Sequence, residues 1–322
     1  MATSGSIGLT SSTLEIITEA LELIGVLGEG ESPTTDQITS CQRTLNTMTK
    51  TWQADGLNLF AVQRNYLLLK KGQDVYDLSA STTDTYSSSL VQTSVVTAAV
   101  ATDVILDLTE VSDTVSIGDK VSVQIDGSTM FETTVLTVNT TTPTLNITVN
   151  DQLPSDVSVD ATVYITGANA NRPMLILEAY NRQLDANDIP LKLLSRVDYY
   201  ELSNKNTSGY VNQVYYDPQI GTGKLYVWPT TSTEMNYLVL LTQRTLEDFV
   251  SDTDEPDYPQ EWFMPLATNL ARFISPKYGI PQMDYARLMQ QAREMYEMAS
   301  GFDTEMGTSM YLMPDSWGNS RL

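Results

Sequence analysis

Lys120-Val-Ser-Val-Gln-Ile-Asp-Gly-Ser-Thr-Met-Phe-Glu-Thr-Thr-Val-Leu-Thr-Val138 decides how the middle of the chain reads. Val121, Val123 and Ile125 recur at every second position, the period of a strand with one buried face. Asp126-Gly127 breaks the run with a turn signal, and β-branched residues resume from Thr133 to Val138. The same texture extends outward from Ser79 to Ala168, where about a third of the residues are Ser or Thr and Lys120 is the only basic side chain. Val104-Ile-Leu-Asp-Leu108 and Thr162-Val-Tyr-Ile-Thr166 add strand candidates, with turns at Gly118-Asp119 and Pro154-Ser155. Alternation of Val, Ile and Leu with polar residues favours a small inserted sandwich or barrel over a low-complexity linker.

On the N-terminal side the period becomes helical. Ser12-Thr-Leu-Glu15 has the spacing of a capping box, with Leu14, Ile17, Leu21 and Ile24 on one face and a stop at Gly25. Ser32-Pro33 reads as the start of a second helix carrying Ile38, Cys41, Leu45, Met48 and Trp52 and ending at Gly56. Two short strands follow around a turn near Gly72. Beyond the insert, Arg172–Tyr180 reads as a strand and Asp198–Leu202 as a short helical turn capped by Ser195. Asn212–Tyr216 and Lys224–Trp228 read as a hairpin, and Tyr237–Thr242 as a further strand. Trp262, Leu266, Leu270 and Phe273 then mark a helix stopping at Tyr278-Gly279, in which Pro265 fits only within the first turn. Tyr285, Leu288, Ala292, Met295 and Ala299 mark another, over Met283–Ser300, ended by Gly301.

The expected class is α+β: a helical bundle core, built from an N-terminal and a C-terminal helix pair, with a β-rich arm and an inserted all-β domain. The expected segments are 1–78 (N-terminal hairpin and first strands), 79–168 (insert), 169–250 (arm), 251–301 (C-terminal helices) and 302–322 (extended tail).

Composition narrows the chemistry. Against 40 acidic side chains stand 18 basic ones, a net charge of −22, which disfavours a grip on a nucleic-acid backbone. With no histidine, imidazole-based triads are ruled out, and with only Cys41 neither a zinc site nor an internal disulfide can form. Met1-Ala-Thr-Ser-Gly-Ser-Ile-Gly8 lacks the pattern of an export signal, and no apolar run approaches a bilayer span, so no membrane anchor is expected. Asp252-Thr-Asp-Glu-Pro-Asp257 lacks the glycine of a calcium loop and reads as an acidic lead-in to the next helix, so no metal is assigned. No spacing singles out a catalytic pair among Glu15, Glu19, Glu22, Glu178, Asp185 and Asp188, and no catalytic residue or cofactor is expected. Gly221-Thr-Gly-Lys224 reads as a hairpin turn, not a phosphate loop. The aromatic set Tyr210, Tyr215, Tyr216, Tyr226 and Trp228 reads as packing in preference to a ligand platform.

Several short motifs, in order, resemble the head-to-tail adaptor (connector, or packaged-DNA stabilisation) proteins of short-tailed bacteriophages. They are Leu45-Asn-Thr-Met48, Trp52-Gln-Ala-Asp-Gly56, Arg172-Pro173, Ile189-Pro-Leu191, Asp198-Tyr199, Tyr215-Tyr-Asp-Pro-Gln219, Gly223-Lys-Leu-Tyr-Val-Trp-Pro229, Pro259-Gln-Glu-Trp262, Asn269-Leu-Ala271 and Tyr278-Gly279. The insert is unmatched. The resemblance implies a non-enzymatic virion protein, made in the host cytoplasm, that forms a ring, usually of twelve copies, under the portal protein. Such a ring would pass duplex DNA without specific binding and contact further tail, nozzle or fibre proteins. It also implies a portal-binding tail, with Tyr311 and Trp317 as aromatic anchors and Phe302 and Leu322 at its limits. A tail-associated peptidoglycan hydrolase and a glycan-binding virion protein acting through the insert are the alternatives.

Overall fold

The structure is a computed structural model that describes residues 11–55, 59–109, 111, 115–125, 127, 129–141, 144–182 and 187–302. Among these residues the chain forms seventeen strands and five α-helices, divided between two compact units, Met1–Phe60 with Glu247–Leu322 and Ala61–Leu246.

The larger unit holds every strand. They are β1 (Val62–Leu68), β2 (Val75–Leu78), β3 (Tyr86–Ser87), β4 (Leu90–Ser94), β5 (Ile105–Thr109), β6 (Lys120–Gln124), β7 (Met130–Thr141), β8 (Thr144–Val149) and β9 (Thr162–Thr166). After them come β10 (Leu175–Arg182), β11 (Asp188–Pro190), β12 (Lys192–Leu193), β13 (Ser208–Gly209), β14 (Gln213–Asp217), β15 (Gly223–Trp228), β16 (Thr230–Thr231) and β17 (Tyr237–Gln243). A five-stranded antiparallel sheet runs β11-β10-β17-β1-β3, and a four-stranded sheet runs β12-β14-β15-β2. Leu67, Leu238, Leu240 and Ile176 from the first meet Tyr76, Leu78, Leu225 and Val227 from the second in a shared apolar core, the layering of a β-sandwich.

The third large sheet runs β4-β9-β6-β7-β8-β5 and curls until its edge strands meet. Val95 bridges to Leu108, Val96 N–H donates to the Asp107 carbonyl at 2.8 Å, and Thr93 Oγ1 donates to the Thr109 carbonyl at 3.0 Å. Closure removes the exposed edges that a short antiparallel sheet would otherwise present. The interior is filled by alternate residues, among them Leu106 and Leu108, Val121 and Val123, Leu145, Ile147 and Val149, and Val163 and Ile165. Strand parity then fixes how this barrel sits on the sandwich. Tyr164, facing outward from β9, packs with Leu68, Tyr237 and Val239, which lie on the opposite face of their sheet from Leu67, Leu238 and Leu240. The Tyr164 and Tyr237 rings meet edge-on at 5.4 Å, and Tyr164 Oη donates to the Met235 carbonyl at 2.8 Å.

The smaller unit contains α1 (Thr13–Leu23), α2 (Thr35–Asp55), α4 (Phe263–Tyr278) and α5 (Gln282–Phe302), while α3 (Arg196–Glu201) belongs to the larger one. Its core joins Ile16, Ile17 and Leu21 to Leu45 and Met48, and these to Trp262, Leu266, Leu270 and Ile274. The capping box forms: Glu15 N–H donates to Ser12 Oγ at 3.3 Å, and Ser12 N–H to Glu15 Oε2 at 3.0 Å. Among the described residues no helix is long and apolar enough to cross a membrane.

The expected fold class is corrected. The chain is not a helical bundle core bearing a β-rich arm: its larger unit is built of sheets, and the supposed arm is a sandwich with its own apolar core. Helix periodicity is local and therefore visible, whereas β1 pairs with β17 from Val62↔Gln243 to Leu68↔Tyr237, across nearly the whole unit. The two strands flanking Gly72 do not form a hairpin, because β1 joins the five-stranded sheet and β2 the four-stranded one. Smaller corrections have equally physical causes. α2 is capped by Thr34, not Ser32: Gln37 N–H reaches Thr34 Oγ1 at 3.4 Å and Thr34 N–H reaches Gln37 Oε1 at 2.8 Å. Pro265 falls in the first turn of α4, where no hydrogen bond is lost, and Ile274 replaces Phe273 on the buried face.

Candidate functional site

In the smaller unit α5 is held by a narrow stripe. Leu288, Ala292 and Ala299 are buried, while Met283 is 85% and Met298 71% exposed. Asn269 on α4 fixes the helix pair by donating from Nδ2 to the Pro265 and Ala292 carbonyls, both at 3.0 Å. Beside this contact Trp52, from the last turn of α2, stacks obliquely on Tyr296 at 4.8 Å and on Trp262 at 5.9 Å. Trp52 and Tyr296 wall a groove of 480 Å³ that also takes in Arg272, Met289 and Arg293. Arg293 Nε donates to Glu297 at 2.7 Å, one turn along α5, which holds the guanidinium pKa above its ordinary value. An aromatic floor, an adaptable thioether and two guanidinium groups suit an acidic protein segment with an apolar or aromatic side chain. Phe302 closes α5, and its side chain lies outside the described residues, as do Tyr311, Trp317 and Leu322. The groove therefore lies on the same helix that leads into the expected portal-binding tail. Of the residues lining this groove the sequence reading singles out Trp52 and Asn269; Arg272 and Tyr296 are half-buried and Met289 and Arg293 exposed, at helical positions that the apolar periodicity passes over.

The aromatic set of the larger unit divides. Tyr215 and Tyr226 are directly opposed on β14 and β15 and stack at 5.5 Å, and Tyr199 of α3 closes over both, at 5.5 and 5.1 Å. Burial pushes the Tyr199 phenol up to about 12. Lys205 Nζ lies 5.2 Å from the Tyr199 ring and 5.6 Å from Tyr200, and Arg196 lies 5.9 Å from Tyr200. With Tyr215 only 7% exposed, these rings spend their faces on each other, so packing is their role. Tyr216 points the opposite way into the sandwich, where its hydroxyl donates to the Pro173 carbonyl. Trp228 Nε1 donates to the Asn204 carbonyl at 2.8 Å, and Tyr210 stands exposed. The sequence reading missed Tyr199 and Lys205 as members of this stack because they arrive from a separate helix and loop. Gly221-Thr-Gly-Lys224 is the β14–β15 turn, with Gly221 at φ +85°.

The acidic loop has a different job from the one expected. The carbonyls of Asp254 and Asp252 accept from Thr13 and Leu14 N–H, both at 2.8 Å, so the loop satisfies the free donors of α1 and not those of α4. Within it Asp254 Oδ2 accepts from Val250 N–H at 3.0 Å and Ser251 N–H at 2.6 Å. No group of three or more Cys, Asp or Glu side chains that could hold a metal ion occurs among the described residues. Of the carboxylates considered for catalysis, three are held in other bonds: Glu15 caps α1, Glu178 accepts from Tyr180 Oη, and Asp188 is paired with Arg182, while Glu19 and Glu22 stand on α1. The Arg182 guanidinium holds Asp188 below the usual carboxylate range. Asp185 lies outside the described residues.

No family model and no curated protein matches this sequence. Among solved structures the chain is similar to VP17, a capsid protein of bacteriophage P23-77, at 10% identity over 60% of this chain and 77% of that one. The TM-score is 0.17, which establishes no common fold.

Proposed function

We propose that the chain is a structural protein of a bacteriophage virion, an adaptor at the head-to-tail junction. In this reading it docks on the portal protein, assembles with further copies of itself into a ring, contacts other tail components, and lets duplex DNA pass without gripping it. The observation that supports the reading is how the motifs carrying the resemblance interlock. Asn46 makes a reciprocal pair with Phe249, Nδ2 to carbonyl and N–H to Oδ1, both at 2.9 Å. Trp52 meets Trp262, and Asn269 ties α4 to α5. In the larger unit Tyr216 bonds Pro173, and Gly223 leaves room for the Tyr216 ring: a Cβ there would lie 2.4 Å from Tyr216 Oη. Within each unit, motifs far apart in sequence thus meet: Trp52 with Pro259–Trp262 in the smaller, and Arg172-Pro173 with Tyr215–Gln219 and Gly223–Pro229 in the larger. The net charge of −22 suits a conduit from which DNA must be released.

The test is negative-stain imaging of the protein mixed with a matching portal ring, alongside a version lacking residues 302–322. A second ring stacked coaxially on the portal, lost on truncation, is the expected result. No stacked ring with either version rejects the adaptor reading.

A further inference from the structure

Lys120 opens β6 on the outer face of the barrel, the face that carries Tyr164. Its ladder partners are Thr134 on β7 and Thr166 on β9. Nζ donates to Asn169 Oδ1 at 3.1 Å, in a half-buried setting. Asn169 lies on the segment returning from the barrel to β10 and is bridged to Ser87 on the segment that leaves for it. Its carboxamide is fixed, because Nδ2 donates to the Thr82 and Asp84 carbonyls, both at 2.9 Å. The oxygen is therefore the atom turned to Lys120, with the carbonyl carbon one bond behind it. Two carboxylates share this junction. Glu132 stands diagonal to Lys120 on the same face of β7, and Lys70 Nζ lies 2.9 Å from Glu132 and 4.0 Å from Asp84. Burial lowers the pKa of the Lys120 ammonium; Glu132 and Asp84 oppose that shift and Lys70 adds to it. Thr166, directly across the ladder, keeps a buried hydroxyl without a hydrogen-bond partner.

We propose that Lys120 and Asn169 form an intramolecular isopeptide cross-link that fastens the barrel to the sandwich. The neutral Nζ adds to Cγ of Asn169, forming a C–N bond and moving the carbonyl electron pair onto Oδ1. The intermediate collapses by breaking the Cγ–Nδ2 bond, and Nδ2 leaves as ammonia with the proton that Nζ gave up. Glu132 is the carboxylate assigned to relay that proton, and Thr166, opposite Lys120 on the ladder, holds an unengaged hydroxyl donor on the same face. Amine plus carboxamide gives secondary amide plus ammonia, so no oxidant or cofactor is needed. Holding the two groups in contact supplies the effective concentration that a free lysine and asparagine lack.

Intact-mass measurement of the full chain, folded at mildly alkaline pH and then denatured, tests this. The expected mass is about 17 Da below that of the sequence, the mass of ammonia lost when a lysine nucleophile displaces it. Tryptic digestion should yield one joined peptide containing Lys120 and Asn169. Lys120→Ala and Asn169→Ala should each restore the sequence mass, and Glu132→Gln should slow the loss roughly a hundredfold, as for removal of a proton relay. Wild-type protein that keeps its full sequence mass overturns the cross-link whatever the variants do. So does an equal mass deficit without the joined peptide, which ring closure at another asparagine would produce.

Discussion

β17 and α5 bury themselves in opposite ways. All of β17 except Leu241 is buried, with Leu238 and Leu240 on the sandwich core and Tyr237 and Val239 on the barrel contact. α5 has three times as many residues and, among those whose side chains are described, is buried only at Leu288, Ala292 and Ala299. A strand filled on both faces has no side chains left for a partner, whereas a helix seated on a narrow stripe has most of its surface free. β17 therefore offers no side chain to a partner, whereas α5, which borders the Trp52 groove and leads into the tail, keeps most of its described surface exposed.

Alkali should break this contrast most completely. Burial raises the phenols of Tyr76, Tyr86, Tyr164, Tyr199 and Tyr216 in the larger unit; the smaller unit has Tyr258 strongly raised. An acid whose folded pKa lies above its unfolded value stabilises the fold below the unfolded pKa, and that contribution disappears as pH climbs toward the folded one. The window runs from about 10, the ordinary phenol value, to the 12 or so of Tyr199 and Tyr216. Far-ultraviolet dichroism followed with tyrosinate absorbance should show sheet signal lost as buried phenols ionise, before the helical signal goes. Helix lost first would place the more alkali-sensitive core in the smaller unit, around Tyr258.

Single substitutions sharpen the same point. Leu238→Ala removes a fully buried side chain from β17 and should cost about 3 kcal/mol, read as a lower urea midpoint. Gly223→Ala should cost about 2 kcal/mol, because the new Cβ would sit 2.4 Å from Tyr216 Oη and 2.7 Å from its ring, and the ring is held by its bond to the Pro173 carbonyl. In the smaller unit Asn46→Ala should cost less, about 1 to 2 kcal/mol, since it strands the Phe249 N–H and carbonyl that Asn46 pairs with. A cost for Asn46→Ala equal to that of Leu238→Ala would mean that the loop carrying Phe249 is as integral as the sandwich core.

How much of this was legible follows from the range of each interaction. Ser12 and Ser195 announced their helices because a capping box closes within three residues, and both boxes form. β9 was read to the residue, since Thr162-Val-Tyr-Ile-Thr166 alternates over its own length. What alternation could not show is that Tyr164 faces a second buried surface, because that surface comes from Leu68, Tyr237 and Val239, far away in sequence. The strands β4 and β8 are absent from the sequence reading, although β8 buries every second residue from Leu145 to Val149. The same limit explains the wrong fold class: the sandwich exists only through pairings such as β1 with β17. It also hid the junction of Lys120 with Asn169, whose partners meet only once the barrel has closed.

The smallest expected change carries the most about function. Met298→Ser alters a side chain that is 71% exposed and packs against nothing the fold requires, so the urea midpoint should move by no more than about 0.5 kcal/mol. If α5 is free surface and nothing more, binding to a portal ring should be equally indifferent. If α5 is the docking helix, Met298→Ser should weaken the complex several-fold in sedimentation or imaging while the free protein melts as before, and Arg293→Ala in the groove should do the same. The two readouts move together for a structural residue and separate for an interface residue. An unchanged stability with an unchanged affinity at both positions would return α5 to the solvent and leave the docking surface to be sought elsewhere on the chain.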